Sequence, residues 1–397
     1  MTVPEPRIAL VHERFTEYGG SEAVVAELLK TWPGASVFAP IADRACIDAV
    51  RTAAAPGPNH NGYRPIPLHD SFHTTWLTRA HEISGGRSHA PLLPFVPGAL
   101  RRLPLRGRFD AVVVSHHAFA IQAALATDAP VIAYVHSPAR WAWDPAFRAR
   151  EAGGPAGRLA LTALGRQARR GELRAAPRLT RVIANSQAVA ARVRDWWELP
   201  ASVINPPVRI DRFSPDPAIA REDFFLFAGR LVPYKRPDLA IHAARRAGRR
   251  LIILGDGRFR AHLESIAGPE TTFLGAAPDD VLLDMYRRCR ALLMPGIEDF
   301  GIVPVEAMAC GTPVLATGAG GALDTVVPGR TGDLIAPGAD AALIDEFATA
   351  MREFNPDSYD SAAIRTHAES YSPAAFRTRI ADVVTTALSD SGVSPPV

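Results

Sequence analysis

Short apolar runs alternate along this chain with longer segments whose apolar residues recur every three to four positions. In the first half, the apolar runs are residues 7–12, 36–40, 110–115, 130–136 and 181–186. In the second half, they are residues 224–230, 250–257, 271–276, 291–296, 312–317 and 331–336. Continuous apolar runs of strand length, separated by helical patterns, are typical of parallel sheets covered on both faces. Two such series predict an α/β chain with two doubly wound, Rossmann-like domains.

The expected boundary between the two domains lies in a proline-rich segment without periodicity. This segment, "VINPPVRIDRFSPD", spans residues 203–216 and has the composition of an interdomain linker. We therefore predict an N-terminal domain over residues 1–205, a C-terminal domain over residues 206–370, and a C-terminal helix with a frayed tail over residues 371–397. We expect that helix to pack back on the N-terminal domain, and residues 56–108 to form an irregular insertion in the same domain.

Composition and charge limit the kinds of molecule that this protein is expected to bind. The formal net charge of +3 and the pI of 8.9 are too weakly basic to indicate nucleic acid. Arginines are dense between residues 140 and 181, where they either coat a solvated helix or contact a phosphate-rich surface. The three cysteines are far apart and lack metal-ligand spacing, the N-terminus lacks a signal-peptide pattern, and no apolar run is long enough to span a bilayer. We expect a cytoplasmic protein, and a peripheral contact with the inner face of the membrane stays open.

A glycine pair follows the first predicted strand and precedes an amphipathic helix. In "HERFTEYGGSEAVVAELL", residues 12–29, Gly19 and Gly20 lie in the loop and Ser21 is the expected N-cap. Glycines let the backbone approach a ligand, and the free amides of a helix N-terminus favour an anion. The same residues also suit a tight turn without a ligand. The six-position glycine pattern of dinucleotide-binding folds is absent, which argues against an NAD-dependent oxidoreductase.

Two cations occupy the loop after the first predicted strand of the second half. In "FAGRLVPYKRPDLAIHAARRAG", Arg230 and Lys235 precede a helix that we expect to begin near Pro237 and to end at Gly248. Fixed cations at the carboxyl end of a parallel strand are well placed to neutralise a diphosphate. Taken alone, these two cations do not decide between that role and a solvated loop.

Two glutamates flank a glycine turn further along the second half. In "GIEDFGIVPVEAMACG", Glu298 lies in a loop and Glu306 is expected in the first turn of the following short helix, which Gly311 ends. Carboxylates accept hydrogen bonds from sugar and ribose hydroxyls, while free amides and a helix N-terminus hold phosphate. The alternative is that Glu306 complements the helix dipole and Glu298 lies on a solvated loop. The paired spacing around the turn favours the ligand site.

These motifs together resemble a known family. "RLVPYK", followed by "GIEDFGIVPVEAMACGTPVLATGAGGALDTV" and "VPGRTGDLI", resembles the retaining glycosyltransferases of family 4, which have the GT-B fold. The resemblance implies two Rossmann-like domains that face a cleft, a nucleotide-sugar donor and no cofactor or metal. "VHERFTEYGGSEAVVAELL", "SHHAFA" and "YVHSPARWAWD" look like the branch of O-antigen and exopolysaccharide mannosyltransferases. That branch implies GDP-mannose as the donor.

The resemblance also assigns roles to particular residues. Arg230 and Lys235 would bind the donor diphosphate and stabilise it as a leaving group. Glu298 would contact the transferred sugar, and Glu306 would hold the ribose hydroxyls. The backbone groups implied in donor binding are those of Gly19, Gly20, Gly255, Phe300, Gly301 and Ile302.

Three histidines end predicted strands of the first half. The family has a histidine after the strand that corresponds to "DAVVVS", near the reactive centre of the sugar. His117 matches that position best, and His116 is its neighbour and rival. His136 is a second candidate for the cleft, where it would bind the acceptor.

The resemblance leads to a mechanism and to alternatives. No DxD motif occurs in a suitable loop, in agreement with a metal-independent family. Because no nucleophile for a double displacement is evident, we expect a front-face reaction that retains the sugar configuration, with a glycan, lipid-linked or small-molecule acceptor. The alternatives are a UDP-sugar-dependent glucosyl-, galactosyl- or N-acetylglucosaminyltransferase, and a non-catalytic protein that binds nucleotide sugars.

Overall fold

The structure is a computed structural model, and it describes residues 5–55, 71–86, 88–145, 147–148 and 154–391. The density of contacts divides the chain into two compact units. Unit 1 consists of Met1–Pro207 and Pro373–Val397, and unit 2 consists of Val208–Ser372. The predicted domain bounds, at residues 1–205, 206–370 and 371–397, stay predictions.

Unit 1 is built on a parallel sheet with the strand order β3-β2-β1-β4-β5-β6-β7. Its strands are β1 Ile8–His12, β2 Ser36–Ala39, β3 Phe72–Thr74, β4 Ala111–His116, β5 Val131–Val135, β6 Arg181–Ala184 and β7 Ser202–Val203. The central strands β1, β4 and β5 are buried along their whole length, because helices cover both faces of a doubly wound sheet. This burial explains their unbroken apolar sequences.

The helices of unit 1 separate these strands along the chain. Among its described residues, the α-helices are Gly20–Thr31, Arg44–Ala54, Trp76–Ile83, Val96–Leu100, Arg140–Trp143, Pro155–Ala175, Gln187–Trp197 and Pro373–Asp390. The 3₁₀ helices are Ala90–Phe95, Ala120–Ala126 and Ala176–Arg178.

Unit 2 has a second parallel sheet, with the strand order β10-β9-β8-β11-β12-β13. Its strands are β8 Phe225–Ala228, β9 Leu251–Leu254, β10 Thr271–Gly275, β11 Leu292–Met294, β12 Val314–Thr317 and β13 Gly332–Ile335. Its α-helices are Pro237–Ala247, Arg260–Ile266, Asp279–Arg288, Ile302–Ala309, Ala322–Thr325, Asp340–Glu353 and Ser361–Glu369, and its 3₁₀ helices are Pro233–Lys235 and Pro356–Ser358. The chain order reverses beside β8, so the loops after β8 and β11 lie at the topological switch point where doubly wound sheets bind ligands.

The last helix of the chain belongs to unit 1. Phe376, Ile380 and Val384 lie in the same apolar cluster as residues of the helix Gly20–Thr31, and the guanidinium of Arg377 forms an ion pair with Glu27. A helix that follows unit 2 in sequence therefore completes the core of unit 1.

The prediction of two doubly wound α/β units is confirmed, and each predicted apolar run contains a strand. The short strands β3 and β7 were not predicted, because two or three residues make no recognisable apolar run. The predicted insertion is more regular than expected, since its described part contains β3 and several helices; residues 56–70 of that prediction lie outside the described residues. Among the helices that the structure describes, none is long and apolar enough to cross a membrane.

Candidate active site

Glycines bring the backbone loops of unit 2 together at the carboxyl edge of its sheet. A Cβ atom on Gly255, where φ is +141°, would lie 1.9 Å from the carbonyl oxygen of Gly229. A Cβ atom on Gly296 would lie 2.5 Å from the carbonyl oxygen of Lys235. The loops after β8, β9 and β11 therefore touch through backbone atoms, which only glycine allows at these two positions.

Lys235 and Glu298 form a partly buried ion pair at this edge. The ammonium Nζ of Lys235 donates to Oε1 of Glu298 over 2.6 Å, and both side chains are less than one-fifth exposed. Burial opposes the charge of the ammonium, but Glu298 outweighs it and raises the pKa of Lys235. Lys235 therefore stays charged, and two of its three N–H donors are left for a ligand.

Arg230 and Tyr234 accompany the ion pair. Arg230 is exposed, in the loop after β8, and its side chain hydrogen-bonds to Tyr234. Burial and the nearby carboxylate of Glu298 raise the pKa of the Tyr234 phenol. The hydroxyl is thus neutral, and the loop presents two cations beside a hydrogen-bonding phenol.

The turn after Glu298 leads directly into a helix N-terminus. Gly301 is the N-cap of the helix Ile302–Ala309 and has a φ of 89°, a conformation that favours glycine. The backbone N–H of Gly321 donates to the carbonyl of Glu298 over 3.0 Å, while the Phe300 ring is buried in the core. The loop after β12 thereby fixes the turn that carries Glu298.

Glu306 lies in the second turn of this helix, and its predicted place in the first turn is wrong because the helix begins at Ile302. The carboxyl group is buried and accepts a hydrogen bond from the Tyr286 hydroxyl over 3.3 Å. Burial raises its pKa to about 7, against the opposing influence of Arg209 and the Tyr286 hydrogen bond. Glu306 can therefore change its charge near neutral pH.

In unit 1, the glycine turn leads into a helix that starts two residues earlier than an N-cap at Ser21 predicts. The helix begins at Gly20 with Gly19 as the N-cap, so the prediction that Ser21 caps it is wrong. The Glu22 carboxylate accepts from the Gly19 N–H over 3.0 Å and from the Ser21 hydroxyl over 2.8 Å. A glutamate at this third helical position supplies the return bond of a capping box.

Glu22 also anchors a row of polar side chains along the carboxyl edge of the unit 1 sheet. Its Oε1 lies 3.1 Å from Nε2 of His12, whose Nδ1 lies 3.0 Å from Oγ of Ser115. Ser115 Oγ is in turn 2.8 Å from Nε2 of His136. Burial disfavours a charged Glu22, but the hydrogen bonds from His12 and Ser21 prevail and hold its pKa at about 2.

The rings of His117 and His136 stack with centroids 4.5 Å apart. Burial and the neighbouring imidazole of His12 lower the pKa of both rings well below the usual value, so both are neutral. The Ser115 hydroxyl bridges two imidazoles, since its Oγ is within hydrogen-bond distance of Nδ1 of His12 and Nε2 of His136. His117 and His136 are thus brought together, as two uncharged rings on one edge of the sheet.

His116 has a different environment from His117. It is the last residue of β4, is fully buried, and its Nε2 lies 3.1 Å from Oε1 of Glu172. The same carboxylate accepts from the backbone N–H of Ala139 and from the indole N–H groups of Trp143 and Trp197. Glu172 therefore joins His116 to other segments of unit 1, and the buried His116 ring has no surface to offer an acceptor.

Glu13 is a buried carboxylate that sequence reasoning missed. It accepts hydrogen bonds from the backbone N–H groups of Phe119 and Ala120, at 2.9 Å each, and so fixes the loop that carries His117. His12 and Ser115 were also missed as site residues. The sequence feature that could have identified them is their position, as polar residues at the ends of apolar strands. Within the described part of the chain, no three His, Cys, Asp or Glu side chains are grouped to hold a metal ion.

Two family models match consecutive parts of the chain. The model described as Glycosyltransferase Family 4 matches residues 18–212, and the model described as Glycosyl transferases group 1 matches residues 210–364. The boundary between the matches falls at the junction of units 1 and 2. The chain belongs to the GT-B glycosyltransferases. The motifs around Lys235 and Glu306 lie in the part matched by the second model.

Curated relatives share moderate identity with parts of this glycosyltransferase. The D-inositol 3-phosphate glycosyltransferase of Kribbella flavida is 35% identical over 187 residues, which is 39% of this chain and 42% of the relative. The enzyme of the same name from Streptomyces avermitilis is 32% identical over 262 residues, 55% of this chain and 54% of the relative. The chain spans about half the length of the curated relatives it matches. Their name does not support the expected mannosyltransferase branch.

Solved structures share the fold over nearly the whole chain. HepE from Anabaena, in complex with UDP and glucose, has a TM-score of 0.67 at 20% identity and covers 96% of this chain and 100% of that one. Sucrose-phosphate synthase from Thermosynechococcus elongatus has a TM-score of 0.69 at 18% identity and covers 97% of this chain and 100% of that one. At these identities the likeness shows the GT-B fold alone.

Proposed function

We propose that this protein transfers a sugar from a nucleotide-sugar donor to a hydroxyl group of an acceptor. The observation that carries the proposal is the Lys235–Glu298 pair, a charged ammonium and a carboxylate 2.6 Å apart at the switch point of a parallel sheet. Such a pair offers one group for a diphosphate and one for sugar hydroxyls, side by side. Arg230 adds a second cation on the same loop.

The chemistry follows from where charge develops. When the bond between the sugar and the diphosphate breaks, negative charge grows on the leaving oxygen, and Lys235 and Arg230 can stabilise it. The N-terminus of the helix Ile302–Ala309 contributes positively polarised amides from the turn that also carries Glu298. Retention of configuration and a front-face course remain predictions from the family. The contacts proposed for Gly19, Gly20 and His117 with the same donor also remain predictions.

A UDP-sugar is the donor that we favour over GDP-mannose. The structural neighbour HepE was solved with UDP and glucose, and also with UDP-glucose. The curated relatives are named for D-inositol 3-phosphate, which makes a phosphorylated polyol the first acceptor to examine. Glycan and lipid-linked acceptors are to be tested after it.

The test is a donor panel with a matched lysine control. The purified protein is incubated with UDP-glucose, UDP-N-acetylglucosamine, UDP-galactose and GDP-mannose, with and without acceptors, and release of the nucleoside diphosphate is measured. We expect turnover with a UDP-sugar and its reduction by at least ~100-fold in Lys235→Ala, the scale of losing one transition-state donor. Lys235→Arg should also fail, because a planar guanidinium does not replace a compact ammonium at a crowded site.

Lys30 is the control, since Lys30 and Lys235 are the only lysines in the chain. Lys30 lies in the first helix of unit 1 and pairs with Glu27, so Lys30→Ala should keep full turnover. Donor binding without turnover on any acceptor would instead indicate a non-catalytic nucleotide-sugar-binding protein. Equal turnover in the two alanine variants would show that Lys235 has no part in the reaction.

A further inference from the structure

Unit 1 contains an arginine-lined pocket between two of its helices. The pocket has a volume of about 370 Å³ and lies between the helices Val96–Leu100 and Pro155–Ala175. Arg166, Arg170 and Arg174 line one wall, at a spacing of four residues that puts them on one helix face, and Arg101 lies on the other. No acidic residue is among those that line it.

These four guanidinium groups have no acidic partner. All four side chains are exposed, and among the described residues no ion pair or hydrogen bond involves them. Many other arginines of the chain do have partners, such as Arg181 with Asp390 and Arg236 with Asp238. Four unpaired cations around one concave surface repel each other, so the pocket favours an anion that neutralises them.

Gln122 is the second and independent sign of a ligand. It lies on the 3₁₀ helix Ala120–Ala126, is 1% exposed and lines the pocket. Both Nε2 and Oε1 of its amide are buried without a hydrogen-bond partner. Buried amides are nearly always hydrogen-bonded, because leaving one unpaired is unfavourable. The amide therefore offers an unpaired donor and an unpaired acceptor to a molecule that binds in the pocket.

Gly171 makes room for this amide. A Cβ atom on Gly171 would lie 2.2 Å from Nε2 of Gln122, so no larger residue fits there while Gln122 keeps its position. The next residue, Glu172, turns its carboxylate to His116 and the two indoles instead. The helix thus presents arginines and a glycine on the pocket face and keeps its acidic group on the opposite side.

We propose that this pocket binds a phosphoryl group. Arginine forks match the oxygens of a phosphate monoester or diphosphate in paired hydrogen bonds. The Gln122 N–H group can donate to another phosphoryl oxygen, and its carbonyl can accept from a hydroxyl of the same ligand or from an arginine. The site is distinct from the proposed donor site around Lys235, which lies in unit 2, and it does not depend on the proposed function.

The first test measures binding of inorganic pyrophosphate by titration calorimetry. It uses the full-length Arg230→Ala/Lys235→Ala protein, so that the proposed donor site does not contribute. We expect saturable binding of pyrophosphate. The affinity should fall at least tenfold in Gln122→Glu, because that variant places a carboxylate among the arginines. It should fall about fivefold in Gln122→Met, which loses a neutral hydrogen bond, and in Arg170→Ala, which loses a charged one. The controls are Arg102→Ala and Arg158→Ala, which remove the same charge from the neighbouring residue and from the same helix, outside the pocket.

The pattern of these variants decides the proposal. Absence of saturable binding would overturn it, and so would equal weakening by the pocket and control variants, which would indicate a diffuse basic surface. The melting temperature of Gln122→Met guards against misfolding. It should be unchanged or higher, because the variant removes an unpaired buried amide.

A second arm identifies the source of the phosphoryl group. Binding to vesicles of phosphatidic acid in phosphatidylcholine is compared with binding of soluble glycerol 3-phosphate, both in the same background. Vesicle binding that Gln122→Met weakens assigns a lipid headgroup, and glycerol 3-phosphate binding with the same dependence and no vesicle binding assigns a soluble ligand. Binding of either probe that Gln122→Met and Arg170→Ala leave unchanged would contradict the proposed site.

Discussion

Glu306 shows how a single side chain can be recognised in the sequence and still be understood only in the fold. Its distance from Glu298 along the chain indicates a pair of carboxylates that bind a ligand. Its burial beside Tyr286 adds a property that no spacing reveals, a pKa of about 7. Ribose hydroxyls donate best to an ionised carboxylate, so the charge of Glu306 should couple donor binding to pH.

This coupling gives a prediction with a definite sign. Because the pKa of Glu306 is raised above the usual value, the folded protein holds an extra proton between about pH 4.5 and 7. We expect donor affinity to fall about tenfold for each pH unit below about 7, since a proton must be lost on binding. Donor titrations from pH 5.5 to 8.5 measure this.

The matched variant is Glu306→Gln, which should bind the donor weakly and with little pH dependence. The same variant should be more stable than the wild type above pH 7, where the buried carboxylate is charged in the folded protein, and the difference should vanish below about pH 4.5, where both states are protonated. A donor affinity of the wild type that is flat across this range would contradict the assignment of Glu306 to the ribose.

At the scale of elements, Glu172 joins parts of unit 1 that are far apart in sequence. From the helix Pro155–Ala175 it accepts hydrogen bonds from His116 at the end of β4, from the loop at Ala139, and from the indoles of Trp143 and Trp197. It is fully buried. A carboxylate with every lone pair engaged stabilises such a junction, and loss of the carboxylate leaves several donors unpaired.

We therefore expect Glu172→Ala to lower the free energy of unfolding by about 4 kcal/mol, the sum of a few unpaired buried donors. Glu172→Gln should cost about 2 kcal/mol, because one amide N–H group would face a donor. Urea denaturation with tryptophan fluorescence measures both, since two of the indoles contact this carboxylate. Glu198→Ala, at an exposed position just beyond the helix Gln187–Trp197, serves as the control. A small effect of Glu172→Ala would show that water replaces the lost bonds.

At the scale of the whole molecule, the chain returns to unit 1 after completing unit 2. The helix Pro373–Asp390 buries Phe376, Ile380 and Val384 against the core of unit 1. Its ion pairs with Glu27 and Arg181 lie in that unit as well. The stability of the first half of the sequence therefore depends on the last part of the sequence.

Ile380→Ala tests this dependence. We expect it to destabilise unit 1 by about 2–5 kcal/mol, the usual range for truncating a fully buried isoleucine, while Arg379→Ala at an exposed position changes little. Hydrogen exchange followed by mass spectrometry distinguishes the units. Protection should fall in β1 and β5 and persist in β8 and β11, and equal loss in both sheets would show that the units unfold as one.

The sequence by itself determined the two α/β series, most strands and the motifs around Lys235 and Glu306. Strands buried on both faces must be continuously apolar, and a tight turn into a helix requires glycine and proline at fixed places. Such local requirements can be recognised directly in the sequence. Helix starts were harder to predict, because residue propensities define a helix boundary only to within a few positions. The predicted N-cap at Ser21 and the predicted turn of Glu306 were both displaced for this reason.

Only the tertiary structure decided which polar residues meet. His116 and His117 are adjacent in sequence, yet one is bound to Glu172 in the core and the other stacks on His136. Gln122 and Gly171 have no local pattern that joins them, and their contact forms only when a 3₁₀ helix packs on a long helix. Alternating strands and helices bring distant segments to one sheet edge, so burial, pairing and pKa arise from neighbours that the linear order does not specify.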